Sequence, residues 1–188
     1  MTALTHDEIL RLLRASSNSP RNLAMLCLGY KHGLRASEIC NLRVDDLDLK
    51  NQQINIRRLK NSLQTTQPLA DLPGQPLLSE LKLINGWLKL RQDSSSFLFT
   101  SGKGGRLSRV QVFRIYRTAA RLANLPPQKQ HPHCLKHSLG YTLVQQNVHL
   151  THIKLALGHR NINSTLVYTQ PTQDQVNIEV SRALANVF

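Results

Sequence analysis

The seven residues His131-Pro-His-Cys-Leu-Lys-His137 gather three histidines, a cysteine and a lysine. Three readings fit such a stretch: a metal site, a cradle for an anion, or the lead-in to an ordinary helix. For a metal, His133 and His137 stand four apart and would share a helix face, with Cys134 as a third ligand. Against it, no general-base glutamate lies between the histidines, and the Lys136 ammonium would repel the ion. The surroundings of the stretch decide between the readings.

Those surroundings are basic. The chain carries a formal charge of +13, from 24 Lys and Arg against 11 Asp and Glu. No acidic side chain occurs between Asp93 and Asp174, an interval that holds Lys103, Arg106, Arg109, Arg114, Arg117, Arg121, Lys129, Lys136, Lys154 and Arg160. A solvated surface normally mixes both signs. A field of one sign points to a polyanionic partner, nucleic acid above all; a membrane surface would call for an amphipathic anchor helix, and none is evident.

With 188 residues, 40% of them hydrophobic, the chain can bury one sizeable core. One globular domain spanning 1–188 is expected. Cys27, Cys40 and Cys134 are odd in number and set among apolar residues, so they read as reduced core thiols of a cytosolic protein. No basic N-terminal segment leads into an apolar run, and no window approaches the ~20 apolar residues of a membrane span.

Thr5-His-Asp-Glu8 has the form of a capping box ahead of Ile9, Leu10, Leu12 and Leu13, and predicts a first helix. A second runs from Arg21 to His32 and stops at Gly33. A third begins after Arg35 and carries Glu38, Ile39 and Leu42. Ile54 and Ile56 then alternate with polar residues, and Thr65 to Leu69 returns as a second strand, with Arg57-Arg58-Leu59-Lys60-Asn61-Ser62 at the turn. Helices follow over Leu77–Leu90 and over Leu107–Asn124 before Pro126-Pro127, separated by a short buried Phe97-Leu98-Phe99 segment. A helix runs from the seven-residue stretch to about Asn147; a shorter one over Thr151–Leu157 is closed by Gly158, and a short turn leads to Tyr168. The tail, 172–188, reads as a terminal helix. The fold class is mainly α with a small antiparallel sheet.

A domain that binds a polyanion can also cut it. Cleaving a phosphodiester without a metal takes a nucleophile, cationic donors for the nonbridging oxygens and an acid for the leaving oxygen. Two-metal nucleases need clustered carboxylates, which the basic half lacks.

Five blocks occur in order: Gly33-Leu34-Arg35-Ala36-Ser37-Glu38-Ile39; Lys60; His131 to His137; Leu157-Gly158-His159; and Tyr168 nine residues later. In this order they resemble the tyrosine recombinases of the phage-integrase type, and most of all the short ones that invert fimbrial promoter segments. The resemblance implies the catalytic-domain fold of that family and DNA strand exchange through a 3′-phosphotyrosyl link, with no metal, ATP or other cofactor. It implies Arg35 as a grip on the scissile phosphate and Glu38 as the acid that orders it. Lys60 would protonate the departing 5′ oxygen. His133 and His159 would stand beside the phosphate, and Tyr168 would be the nucleophile, with His137 bracing its helix through a backbone carbonyl. Arg106, Arg109, Arg114 and Arg160 are the expected DNA contacts. The partners implied are double-stranded DNA and further copies of the chain, a tetramer on synapsed sites, at the bacterial nucleoid.

Two departures stand out. Where the family has a second phosphate-clamping arginine, this chain has Lys136, which keeps the charge and loses the planar fork. The chain also has only about 30 residues before the Arg35 block, so it is expected to be either a minimal recombinase without the N-terminal clamp domain of most relatives or a fragment of a longer protein, with the intact capping box close behind Met1 favouring the former. The rival reading is a DNA-binding regulator on the same fold with a weakened site; a topoisomerase-like relaxing activity shares the chemistry.

Overall fold

The computed structural model describes residues 3–58, 63–169, 177, 180–182 and 184–185. Lys60 and most of the tail 172–188 lie outside the described residues.

Helix α1 (His6–Arg14) starts where the capping box closes: the Thr5 hydroxyl accepts from the Glu8 N–H at 3.2 Å and the Glu8 carboxylate accepts from the Thr5 N–H at 2.8 Å. Helix α2 (Pro20–Lys31) is capped by Ser19 and is buried without interruption from Leu23 to Tyr30. A helix apolar on all sides belongs at the centre of a core. Gly33 ends it at φ +56°, where a Cβ would stand 2.7 Å from the Leu157 side chain. Helix α3 (Ala36–Asn41) follows, then the sheet: β1 (Leu47–Asp48), β2 (Gln53–Ile56) and β3 (Thr65–Pro68), antiparallel in the order 1-2-3. Ile54 pairs with Leu47 on one side and Gln67 on the other.

Helices α4 (Glu80–Leu90), α5 (Arg109–Leu122), α6 (His133–Gln145), α7 (Leu150–Ala156) and α8 (Asn163–Leu166) complete the order. Strand β1 is an addition to the expected hairpin. Helix α4 starts three residues later than its apolar pattern suggested, because Ser79 and Glu80 turn back on the preceding segment: the Ser79 hydroxyl donates to Asp71 and the Glu80 carboxylate accepts from the Ala70 N–H. Leu98 and Phe99 are buried as expected, and the Leu98 N–H donates to the Leu42 carbonyl.

Two apolar clusters result. The large one joins α1 to α6 and the sheet. The small one consists of Ile153, Leu157 and Tyr168, flanked by Leu139, Tyr141, Leu143, Val144 and Val148; Leu139 touches both clusters.

Candidate active site

The turn at Gly33 places Arg35 at the N-cap of α3, with extended backbone (φ −74°, ψ 155°). The Glu38 carboxylate holds both of its ends, accepting from the Arg35 N–H and from Nη1, each at 2.8 Å. Glu38 is almost fully enclosed while a third of the Arg35 side chain is exposed. Burial alone would raise the Glu38 pKa; the Arg35 N–H and the charges of Arg58 and Lys136 outweigh it and keep the carboxyl below the ordinary range. Arg35 therefore arrives at the surface already aimed.

Arg35 opens on a groove of about 620 Å³ lined also by Ala36, Arg109, Val110, Phe113, His131, Pro132 and His133. His133 is the first residue of α6 and is solvent-exposed. Pro132 is the N-cap, so His131 and Pro132 are a helix lead-in as read from the sequence. The His133 ring meets His137 edge to face at 4.4 Å between centroids, and His137 meets Tyr168 in the same way at 5.7 Å. His137 thus acts through ring contacts where a bond to a backbone carbonyl was expected. Partial desolvation first, then His137, Lys136, His131 and Arg35, hold His133 below the usual imidazole range. Cys134 is buried with its sulfur 3.5 Å from the His131 ring, and no three His, Cys, Asp or Glu side chains converge on one point among the described residues.

Gly158 follows the end of α7 with φ +65°, and the turn presents His159. Its Nδ1 faces the Thr165 hydroxyl at 3.0 Å. Burial, then the positive charges of Lys136, Arg35 and Arg58, opposed by Glu38, bring His159 down to about 4. It is neutral at pH 7. Tyr168, just past α8, stacks on His159 at 6.4 Å and is 4% exposed. Its ring rests on Gly140 of α6, where a Cβ would come within 2.7 Å of it. Burial and Tyr141 push the phenol up to about 12, with Arg35 pulling the other way.

Lys136 is 2% exposed, and its ammonium donates to the Leu157 carbonyl at 2.6 Å. Burial first, then Arg58 and Arg35, opposed by Glu38, bring it down to about 7. This amine holds the end of α7; the groove beside Arg35 is lined without it.

The expected DNA contacts divide. Arg109 shares the Arg35 groove, and Arg106 sits in the neighbouring one with Arg109, bonded to Asn41 at 2.6 Å. Arg160 is exposed directly after His159. Arg114, five residues after Arg109, is turned by about 140° on the helix and lines a separate groove with Ser16, Ser19 and Asn22.

Two residues went unread in the sequence. Arg58, in the presumed turn, has a fully buried side chain; the signal was the period of two, since Ile54, Ile56 and Arg58 all point inward. Gly140, isolated in a helical run, was the other hint, because such a glycine usually marks a close approach.

Solved structures of recombinases share the fold, that of a tyrosine recombinase catalytic domain. The crystal structure of XerA recombinase matches with a TM-score of 0.81 at 24% identity, over 97% of this chain and 65% of that one. XerH site-specific recombinase bound to its difH substrate, in a pre-cleavage complex, matches with a TM-score of 0.76 at 22% identity, over 96% and 54%. This chain belongs to the phage integrase family, whose model matches residues 2–175. Type 1 fimbriae regulatory protein FimB of Escherichia coli (strain K12) is 41% identical over 173 residues, 88% of this chain and 82% of FimB. No helix among the described residues is long and apolar enough to cross a membrane.

Proposed function

We propose that the protein is a site-specific recombinase that breaks and rejoins double-stranded DNA through Tyr168. The observation that carries this reading is the seating of Tyr168 between His137 and His159, with a carboxylate-aimed Arg35 at the adjoining groove. In the step, the Tyr168 oxygen bonds to phosphorus and the bond from phosphorus to the 5′ oxygen breaks. The phenolic proton passes to a neutral imidazole nearby, and the leaving oxygen takes one from Lys60. Arg35, His133 and His159 donate to the nonbridging oxygens, and religation reverses every transfer. No step calls on a metal or a nucleotide.

The reading extends to one catalytic domain over 1–188, to a homotetramer on two synapsed sites at the nucleoid, and to inversion of the intervening DNA. It rests there on family membership and on the likeness to short fimbrial recombinases. Arg106, Arg109 and Arg160 supply backbone contacts beside the scissile phosphate; Arg114 would touch DNA only on another face.

One observation favours the second reading, a weakened DNA-binding regulator: the Lys136 ammonium is committed to the Leu157 carbonyl. A pooled library of nicked suicide duplexes separates the two. Wild type is expected to form an SDS-resistant covalent adduct that Tyr168→Phe abolishes; an adduct from Tyr168→Phe would exclude Tyr168 as nucleophile. If wild type forms none while Lys136→Arg gains about a hundredfold over background, the regulator reading stands.

A further inference from the structure

Both halves of the site converge on one buried side chain. Arg58 Nη1 donates to the Glu38 carboxylate at 3.1 Å and to the Gly33 carbonyl at 3.2 Å. Its Nη2 donates to the His32 carbonyl at 2.8 Å and to the Ala156 carbonyl at 2.9 Å. His32 and Gly33 form the turn that aims Arg35; Ala156 is the last residue of α7, three positions before His159. Only Nε of this guanidinium lacks a hydrogen-bond partner among the described residues. Gly158 leaves room for the arrangement, since a Cβ there would lie 2.9 Å from Arg58 Cγ and Nε.

We propose that Arg58 is the positioning residue that sets the Arg35 turn in register with the His159 turn. The inference rests on the recombinase reading above. Four acceptors on three chain segments use both terminal nitrogens of the guanidinium fork; a lysine ammonium on the same stem can satisfy only some of them. A buried charge of this kind is retained at a cost in desolvation, so geometry rather than stability is its product. The second donor on the Ala156 carbonyl is Gln67 Nε2, at 2.8 Å, and Lys136 holds the next carbonyl, Leu157. The end of α7 is therefore pinned by two cations and an amide at the negative end of its dipole.

The test compares Arg58→Lys and Arg58→Met with wild type by single-turnover adduct formation on a suicide duplex, DNA affinity by gel shift, and melting, all read well below each variant's Tm. Arg58→Lys keeps the charge and is the variant that must fold. It is expected to bind DNA within about twofold of wild type and to form the adduct at least thirtyfold more slowly, with an unchanged acid limb in the rate-pH profile. In Arg58→Met, Glu38 faces Arg35, Lys136 and His159 without Arg58, its carboxyl takes up a proton more easily, and the acid limb moves to higher pH. If Arg58→Lys forms the adduct within threefold of wild type, or loses binding and cleavage in equal measure, Arg58 is a structural residue only and the proposal falls. Failure of wild type itself to form the adduct would instead overturn the recombinase reading.

Discussion

The large apolar cluster and the small one around Tyr168 are held together in different ways. In the large cluster, α2 is surrounded on every side, and residues such as Leu12, Met25, Leu26 and Tyr116 are fully buried. Each side chain of that kind contributes roughly 1.5–3 kcal/mol by leaving water. The small cluster offers three buried side chains, and its position depends on polar bonds from Arg58, Lys136 and Gln67 to the last carbonyls of α7. Apolar burial makes a body; directional bonds make an address. Tyr168 sits in the part with the least apolar burial, where local opening is easiest, and that suits the role of nucleophile proposed for it.

This contrast can be broken from the large side first. Leu26→Ala should cost about 4 kcal/mol and shift the denaturant midpoint of the whole protein. Trp87, the single tryptophan, reads this: it packs on the large cluster and its indole N–H bonds the Leu98 carbonyl at 2.8 Å.

Acid should loosen the small side next. His159 is at about 4 in the folded protein and 6.5 when free, so between those values the unfolded chain takes up the proton that the folded site refuses. Its contribution is complete above pH 6.5 and is lost as pH falls toward 4, a change of about 3 kcal/mol. Tyrosine emission and exchange of the α7 and α8 amides should respond over that range while Trp87 emission holds; simultaneous loss of both signals would show that the clusters are one cooperative unit. The smallest effect is expected from Ile153→Val, about 1 kcal/mol, seen as faster amide exchange in α7 with the Trp87 transition unmoved.

What could be read from the sequence follows the same division. The helices of the large cluster announced themselves through Thr5 and Glu8, through apolar spacing and through Gly33, because caps and periodicity are local. The order of the site blocks was legible too, and the structure brings Arg35, Glu38, His133, His137, His159 and Tyr168 into one neighbourhood. The partners of the buried cations were not legible. The period of two could have turned Arg58 inward, but nothing in the immediate neighbours of Arg58 or Lys136 says that carbonyls of residues 156 and 157 will come to meet them. Strand β1 escaped for another reason: two residues are too few to show an alternation, and only their pairing with Gln53 and Ile54 defines them.

Gly140 carries a last consequence. Most helix surfaces present knobs that a departing ring must climb over, and they leave a hole when it goes. Under Tyr168 there is a bare patch of helix backbone instead. The ring can leave without a side chain at position 140 having to change rotamer. For the nucleophile proposed here, the berth at that position would be unaltered after each round of cutting and rejoining, which suits a catalyst whose forward and reverse steps share one path.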